Sequence, residues 1–270
     1  AGYPKSTDWA QELVRAGVSV MNGSFGPAVA PGEFFPDGTK NLNYEQVDFQ
    51  FYYAADVVED AQSVKTLADA DVVMVFSAGN NRDVQPKASV LPIGFGSLPL
   101  VTPDNTDLGY TNNPEDAIYR LYTDDADSQN PGTWDSNQVQ QSVAREKSTE
   151  IQEMNLAGTL IAVTAVDINE QTNGVTLASF SNKCGIAADW CIAAPGVDIY
   201  STVPLSTYAG GAKWSGTSMA APYVAGSAAV LRQAFPYLTA RQIIEVLLTT
   251  ATGVALDPDL GPVLDLNQKT

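Results

Sequence analysis

Ser215-Gly216-Thr217-Ser218-Met219-Ala220-Ala221-Pro222-Tyr223-Val224-Ala225-Gly226 is the stretch on which the fold turns. A glycine-containing turn runs into small and apolar residues that continue as Ala228, Ala229, Val230 and Leu231. This predicts a helix from Ser218 to about Gln233, buried on most sides. Pro222 is tolerated there because the first turn of a helix needs no intrahelical N–H bond. Ser218 thus stands at a helix N-terminus, where free N–H groups and the positive end of the dipole favour an anion forming beside it. A lone serine in that position is most simply an N-cap. The length of the surrounding pattern argues instead for a nucleophile.

Working outward, the chain alternates helical and strand patterns. Thr7 to Ala16 reads as a short amphipathic helix capped by Thr7 or Asp8, and Val18-Ser19-Val20-Met21 as a strand ended by Asn22-Gly23. From about Glu45 to Ala70, apolar residues recur at three- and four-residue steps, as a helix requires. Val72-Val73-Met74-Val75-Phe76 is the continuous apolar run of a strand buried on both faces. Helix between strands, repeated, predicts an α/β fold with a parallel sheet. The pattern resumes at Leu160 to Val166. Short strands are expected near Ala178-Ser179-Phe180, Ile192-Ala193-Ala194 and Val197-Asp198-Ile199-Tyr200, and a last helix from Ala240 to about Thr249. Between them, residues 81–158 hold six prolines and many acids, and read as an insertion with a helix of its own around Ser136 to Met154.

Gly216-Thr217-Ser218-Met219-Ala220-Ala221-Pro222 resembles the nucleophile motif of the subtilisin-like serine endopeptidases. Tyr223 departs from the non-catalytic histidine that many members carry there. Two further segments agree in the family's order. Ser77-Ala78-Gly79-Asn80, directly after a strand, resembles the oxyanion-hole segment, with Asn80 as the amide donor and Ala78 and Gly79 lining the pocket for the side chain before the scissile bond. Asn22-Gly23-Ser24-Phe25-Gly26 resembles the segment that pairs with substrate as an added strand, so Ser24, Phe25 and Gly26 are substrate-binding candidates. The resemblance implies a three-layer fold built on a parallel sheet, one peptidase domain over residues 1–270 with the insertion at about 81–158, and peptide or protein substrates. The closely spaced cysteines and the Leu264-Asp265-Leu266 ending are similar to bacterial secreted and autotransporter members.

The family also supplies an aspartate and a histidine from segments ahead of the substrate-binding strand. This sequence holds no histidine at all and no Asp-Thr-Gly or Asp-Ser-Gly block before that strand. The expectation is a C-terminal portion of the catalytic domain that lacks its N-terminal strands and needs a partner segment bearing Asp and His. Without that segment it would be inactive and unstable alone, with sheet edges left unpaired. Two alternatives stand beside it: a pseudoprotease acting as a peptide-binding or structural module, and a carboxylate-based triad, against which Asn80 counts.

Composition sets outer bounds. Of 270 residues, 44% are hydrophobic and 17% charged, as in a folded chain, and the net charge of −17 disfavours nucleic acid or an anionic membrane as partner. No apolar run is long enough to span a bilayer. Cys184 and Cys191 are too few for a zinc site without histidine and read as a disulfide closing a small loop, worth about 2–3 kcal/mol, with two buried thiols as the alternative. A disulfide implies an oxidising compartment, hence a secreted or cell-surface protein. No cofactor is expected and no metal site is assigned. Asp124-Asp125-Ala126-Asp127 and Asp104-Asn105-Thr106-Asp107 have oxygen-rich spacing that keeps calcium in view, but surface acidity accounts for them better.

Overall fold

The computed structural model describes residues 8–25, 54–83, 89, 91–103, 146–169, 174–202 and 213–251. Gly26, Thr7, the N-terminal part of the helix expected from Glu45, and both oxygen-rich acidic stretches lie outside them. The elements in chain order are α1 (Asp8–Arg15), β1 (Val20–Gly23), α2 (Ala54–Asp69), β2 (Val73–Ser77), a 3-10 segment (Gly94–Leu100), α3 (146–153), β3 (Leu160–Asn169), β4 (Gly174–Leu177), a second 3-10 segment (Gly185–Trp190), β5 (Cys191–Pro195), α4 (Thr217–Ala234) and α5 (Ala240–Thr250).

β1, β2, β3 and β5 pair in parallel in that order, and β4 lies antiparallel on the far end of β3. Because side chains alternate across a strand, each apolar run feeds two cores. Met74, Phe76, Leu160, Ala162 and Cys191 face one side with α1 and α2, joined there by Val57, Ala61, Val64 and Leu67. Val73, Val75, Ile161, Val163, Ala165, Ile192 and Ala194 face the other, against Ala220, Ala221, Val224 and Ala228 of α4 and Ile243, Ile244 and Leu247 of α5. The result is the expected three-layer α/β arrangement of a parallel sheet between helices. Among the described residues β1 ends the sheet on one side. That further strands are missing beyond it remains an expectation from the sequence.

Several boundaries differ from expectation. Asn22 and Gly23 continue β1 rather than ending it, opposite Val75 and Phe76. The reason is space: a Cβ at Gly23 would stand 2.4 Å from the Phe76 ring, so only glycine lets the strand run on over that side chain. Ala178–Phe180 is a turn, not a strand, and the pairing is made just before it by β4, which periodicity did not reveal. Val197–Tyr200 is bent, with Asp198 at φ 56, and keeps a single bridge between Ile199 and Trp214. α4 buries one face only, and Val230 is 65% exposed. Its alanines serve close approach to the sheet rather than burial all round. Within 81–158, Leu91, Phe95, Leu98, Ile151 and Leu156 belong to the core beneath α2.

Cys184 and Cys191 form the disulfide, fully buried, across the 3-10 segment that leads into β5. Beside it, the Trp190 indole N–H donates to the Gly96 carbonyl at 2.9 Å, tying this turn to the Gly94–Leu100 segment.

One polar clamp ties the sheet's entry edge to the helices. Asp71, at φ 60 in the tight turn before β2, accepts from the Ala240 N–H at 2.6 Å and from Arg232 Nη1 at 2.7 Å, while Arg232 also donates to the Asp71 and Ser19 carbonyls. Thr239 caps the same helix start through a capping box with Gln242. Burial pushes the Asp71 carboxyl up, but the Ala240 N–H bond and the bond and charge of Arg232 outweigh it, leaving the group below its ordinary 3.8. With the folded value depressed, the unfolded chain binds the proton more readily, so the clamp's contribution is present above the ordinary value and lost as pH falls through the folded one. Asp71→Asn should therefore cost about 1 kcal/mol or less at pH 7, given the carboxylate's exposure, and the gap to the parent should narrow in acid as pH falls below the ordinary value. Urea unfolding at pH 7 and in acid checks this. An unchanged gap in acid would contradict it.

Candidate active site

Sheet topology brings three distant segments to one place. β1 delivers Ser24 and Phe25 at its C-terminal end, β2 delivers Ala78, Gly79 and Asn80 at its own, and the turn before α4 delivers Thr217 and Ser218. Ligand sites of parallel sheets lie at strand C-termini, because there the chain leaves the sheet and its loops converge.

Asn80 is fixed by its oxygen. Its Oδ1 accepts from the Thr217 backbone N–H at 2.8 Å and from Thr217 Oγ1 at 2.9 Å, and Thr217 Oγ1 accepts from the Gly79 N–H at 3.2 Å. A backbone N–H can only donate, so the amide's orientation is determined: oxygen to Thr217, Nδ2 outward. α4 has no side-chain cap of its own, since its N-cap is Gly216. Asn80 fills that role from another segment. Among the described residues neither Asn80 Nδ2 nor the Ser218 N–H has an acceptor. Both flank one point: a Cβ built on Gly216 would stand 3.5 Å from Asn80 Nδ2 and 3.7 Å from the Ser218 nitrogen. Two unengaged donors beside a serine hydroxyl can hold a developing oxyanion.

The turn carrying Asn80 is itself braced. Gly79 has φ +109, and a Cβ there would strike Ile93 at 2.8 Å. The Gly79 carbonyl accepts from the Asn182 N–H at 2.9 Å. The fully buried Asn182 side chain then accepts from the Asn81 N–H at 3.0 Å and donates to the Leu91 carbonyl at 3.1 Å. Arg82 donates to the carbonyls of Ser179 and Ala178.

Ser218 meets the residue that follows β1 through both of its oxygens. Ser24 Oγ donates to the Ser218 carbonyl at 3.0 Å, and Ser218 Oγ donates weakly to the Ser24 carbonyl at 3.5 Å. A carbonyl oxygen cannot take a proton from a serine, and no described side chain is bonded to Ser218 Oγ as a base. Phe25, 37% exposed, follows Ser24 and packs edge-on against Phe95 and Phe76, with ring centroids at 5.5 and 6.3 Å.

Ser24, Gly79, Asn80 and Ser218 therefore come together with Phe25 next in chain to Ser24, while Ala78 is fully buried, bonded to the Val163 carbonyl and the Ile93 N–H, and Gly26 is outside the described residues. Sequence reading missed Thr217, which holds the Asn80 side chain, and Asn182, which holds Gly79 and Asn81 on either side of it. The signal was present in each case: a hydroxyl residue directly before the nucleophile, and an asparagine ending Ala178-Ser179-Phe180-Ser181-Asn182. It also missed Tyr200 and Trp214, which stand near Ser218 around a common cavity. No described helix is long and apolar enough to cross a membrane.

A family model described as "Subtilase family" matches residues 3–264. The "Extracellular serine protease" of Serratia marcescens is 46% identical over 99 residues, 30% of this chain and 10% of that protein. "Subtilisin DY" of Bacillus licheniformis is 43% identical over 95 residues, 35% of this chain and 31% of that protein. The matched part thus spans less than a third of either relative's length. Among solved structures, a mutant of the protease domain of PatA covers 96% of this chain and 62% of its own at TM-score 0.50 and 19% identity. The PatG macrocyclase in complex with peptide covers 96% and 52% at TM-score 0.50 and 18% identity. At such identities these two bear on the fold alone.

Proposed function

The chain belongs to the subtilase family, and from that premise we propose that it is the nucleophile-bearing part of a serine endopeptidase. Family membership supports serine peptidase chemistry in general. Ser218 is the proposed nucleophile and Asn80 the proposed oxyanion donor. One observation carries this reading: Asn80, pinned by its oxygen to Thr217, holds an Nδ2 with no acceptor among the described residues beside the Ser218 nitrogen, both within 3.7 Å of the point that a Gly216 Cβ would occupy. Attack of Ser218 Oγ on the scissile carbonyl would place the new alkoxide between those donors, and collapse would expel the amine and leave an acyl-enzyme on Ser218. Ser24 and Phe25 would run beside the acyl side of the substrate, and Ala78 and Gly79 would line the pocket for its last side chain.

The proton on Ser218 Oγ needs an acceptor, and the sequence contains no histidine. We infer that the base and its aspartate come from a segment outside these 270 residues, seated near the Ser24 carbonyl that the hydroxyl now faces. The same lack of histidine favours a second reading, a pseudoprotease that binds peptides without cleaving them. No cofactor enters the proposed steps. An extracellular location is proposed from the disulfide and from the name of the Serratia marcescens relative.

Labelling with a fluorophosphonate, followed by peptide mapping, tests the nucleophile. Adduct should form slowly and on Ser218, and Ser218→Ala should show none. Label on another serine, with Ser218 unmodified, would overturn the assignment.

A further inference from the structure

α4 begins at Thr217, which puts Pro222 past its first turn rather than within it. An N–H at position 222 would donate to the Ser218 carbonyl four residues back, but proline has none, and its ring crowds that same carbonyl. The Ser24 hydroxyl takes the vacant place. Across 194 positions it donates to the Ser218 carbonyl at 3.0 Å, in a part-buried setting where water competes less well. A hydroxyl has one proton to give. With that proton on the Ser218 carbonyl, Ser24 Oγ accepts from Asn22 Nδ2 at 3.0 Å, and the 3.3 Å contact to Asn22 Oδ1 carries no bond.

The nucleophile is thus held from both sides. Asn80 grips the Thr217 N–H ahead of it, and the pair Asn22–Ser24 grips its own carbonyl behind. We propose that the Ser24 side chain, oriented by Asn22, is a positioning residue for Ser218: it supplies the donor that Pro222 denies the Ser218 carbonyl, and so sets the angle at which Ser218 Oγ and N–H face the reacting carbonyl. The inference rests on the reading of Ser218 as nucleophile. It gives the hydroxyl of Ser24 a task separate from any pairing of the Ser24 backbone with substrate. A peptide plane left free to rock would carry the Ser218 Cα with it, and small misplacements of a reacting group are costly in rate.

A peptidyl fluorophosphonate reacting with the full chain yields two constants, one for binding and one for phosphorylation of Ser218. Ser24→Ala should lower the phosphorylation constant about ten-fold and leave the binding constant unchanged. Pro222→Ala returns an N–H to the Ser218 carbonyl. In that background Ser24→Ala should change the phosphorylation constant by less than about two-fold, a coupling that a general loss of stability would not produce. Asn22→Ala, at an exposed residue, should slow phosphorylation about three-fold and decides the matter if Ser24→Ala does not fold. Phosphorylation of Ser24→Ala at the parent rate, an equal loss with and without Pro222, or, where Ser24→Ala does not fold, Asn22→Ala at the parent rate would overturn the inference and leave Ser218 the nucleophile. Label on another residue, with Ser218 unmodified, would instead overturn the reading on which it rests.

Discussion

Turnover of a peptide by this chain should rise by about 10⁶ once a histidine with its aspartate is brought to Ser218 Oγ, a magnitude that comes from subtilisin itself and not from this geometry. The physical reason is that a serine hydroxyl attacks only as its proton leaves, and the described neighbour of Ser218 Oγ is the carbonyl of Ser24, which accepts a hydrogen bond but not a proton. What the chain holds alone is the donor pair and the walls, worth about 10³–10⁴ over water in the same enzyme class. The comparison is between the 270-residue chain alone and the same chain mixed with a segment bearing a subtilase aspartate and histidine, each with and without Ser218→Ala. A gain of that order, abolished by the alanine, is the expected result. Hydrolysis by the chain alone at an ordinary enzymatic rate, about 1–10³ s⁻¹, would mean that a base other than histidine is already present. No gain from such a segment would favour the pseudoprotease.

The second large effect falls on Asn80. In the enzyme supplied with its base, Asn80→Ala should lower kcat by about 10²–10³ with little change in KM, again a figure measured in a subtilisin. Alanine also removes the acceptor that caps α4, so the variant should lose roughly 1 kcal/mol of stability. Asn80→Asp separates the two roles. A carboxylate still accepts from Thr217 N–H and Oγ1, so stability should be kept. It has no N–H to offer the oxyanion and adds a like charge, so kcat should fall at least as far as with alanine. Recovery of turnover in Asn80→Asp would show that Asn80 acts only as a cap.

Much of this was legible in the sequence because it is local. The glycine turn and alanine-rich run before and after Ser218, the apolar strand running into Ser77-Ala78-Gly79-Asn80, and the cysteines seven apart each carry their reading within a few residues. What was not legible depends on distant partners. Periodicity could not show that Asn22-Gly23 stays in the strand, since that follows from the Phe76 ring lying under Gly23. Nor could it show Asp71 capping α5 from 169 positions away. Thr217 was read as part of a motif, whereas its work is to hold the oxygen of Asn80, 137 positions earlier. Tyr200 was read as an ordinary strand residue and Trp214 was given no role, whereas the bridge at Ile199 sets both around one cavity.

The most direct measurement is a crystal structure of the chain after reaction with a peptidyl fluorophosphonate. The adduct should sit on Ser218 Oγ, with its phosphoryl oxygen about 2.7–3.1 Å from both Asn80 Nδ2 and the Ser218 nitrogen. A phosphoryl oxygen turned away from Asn80, or an adduct on any other side chain, would contradict the convergence of these two residues on one reacting carbonyl.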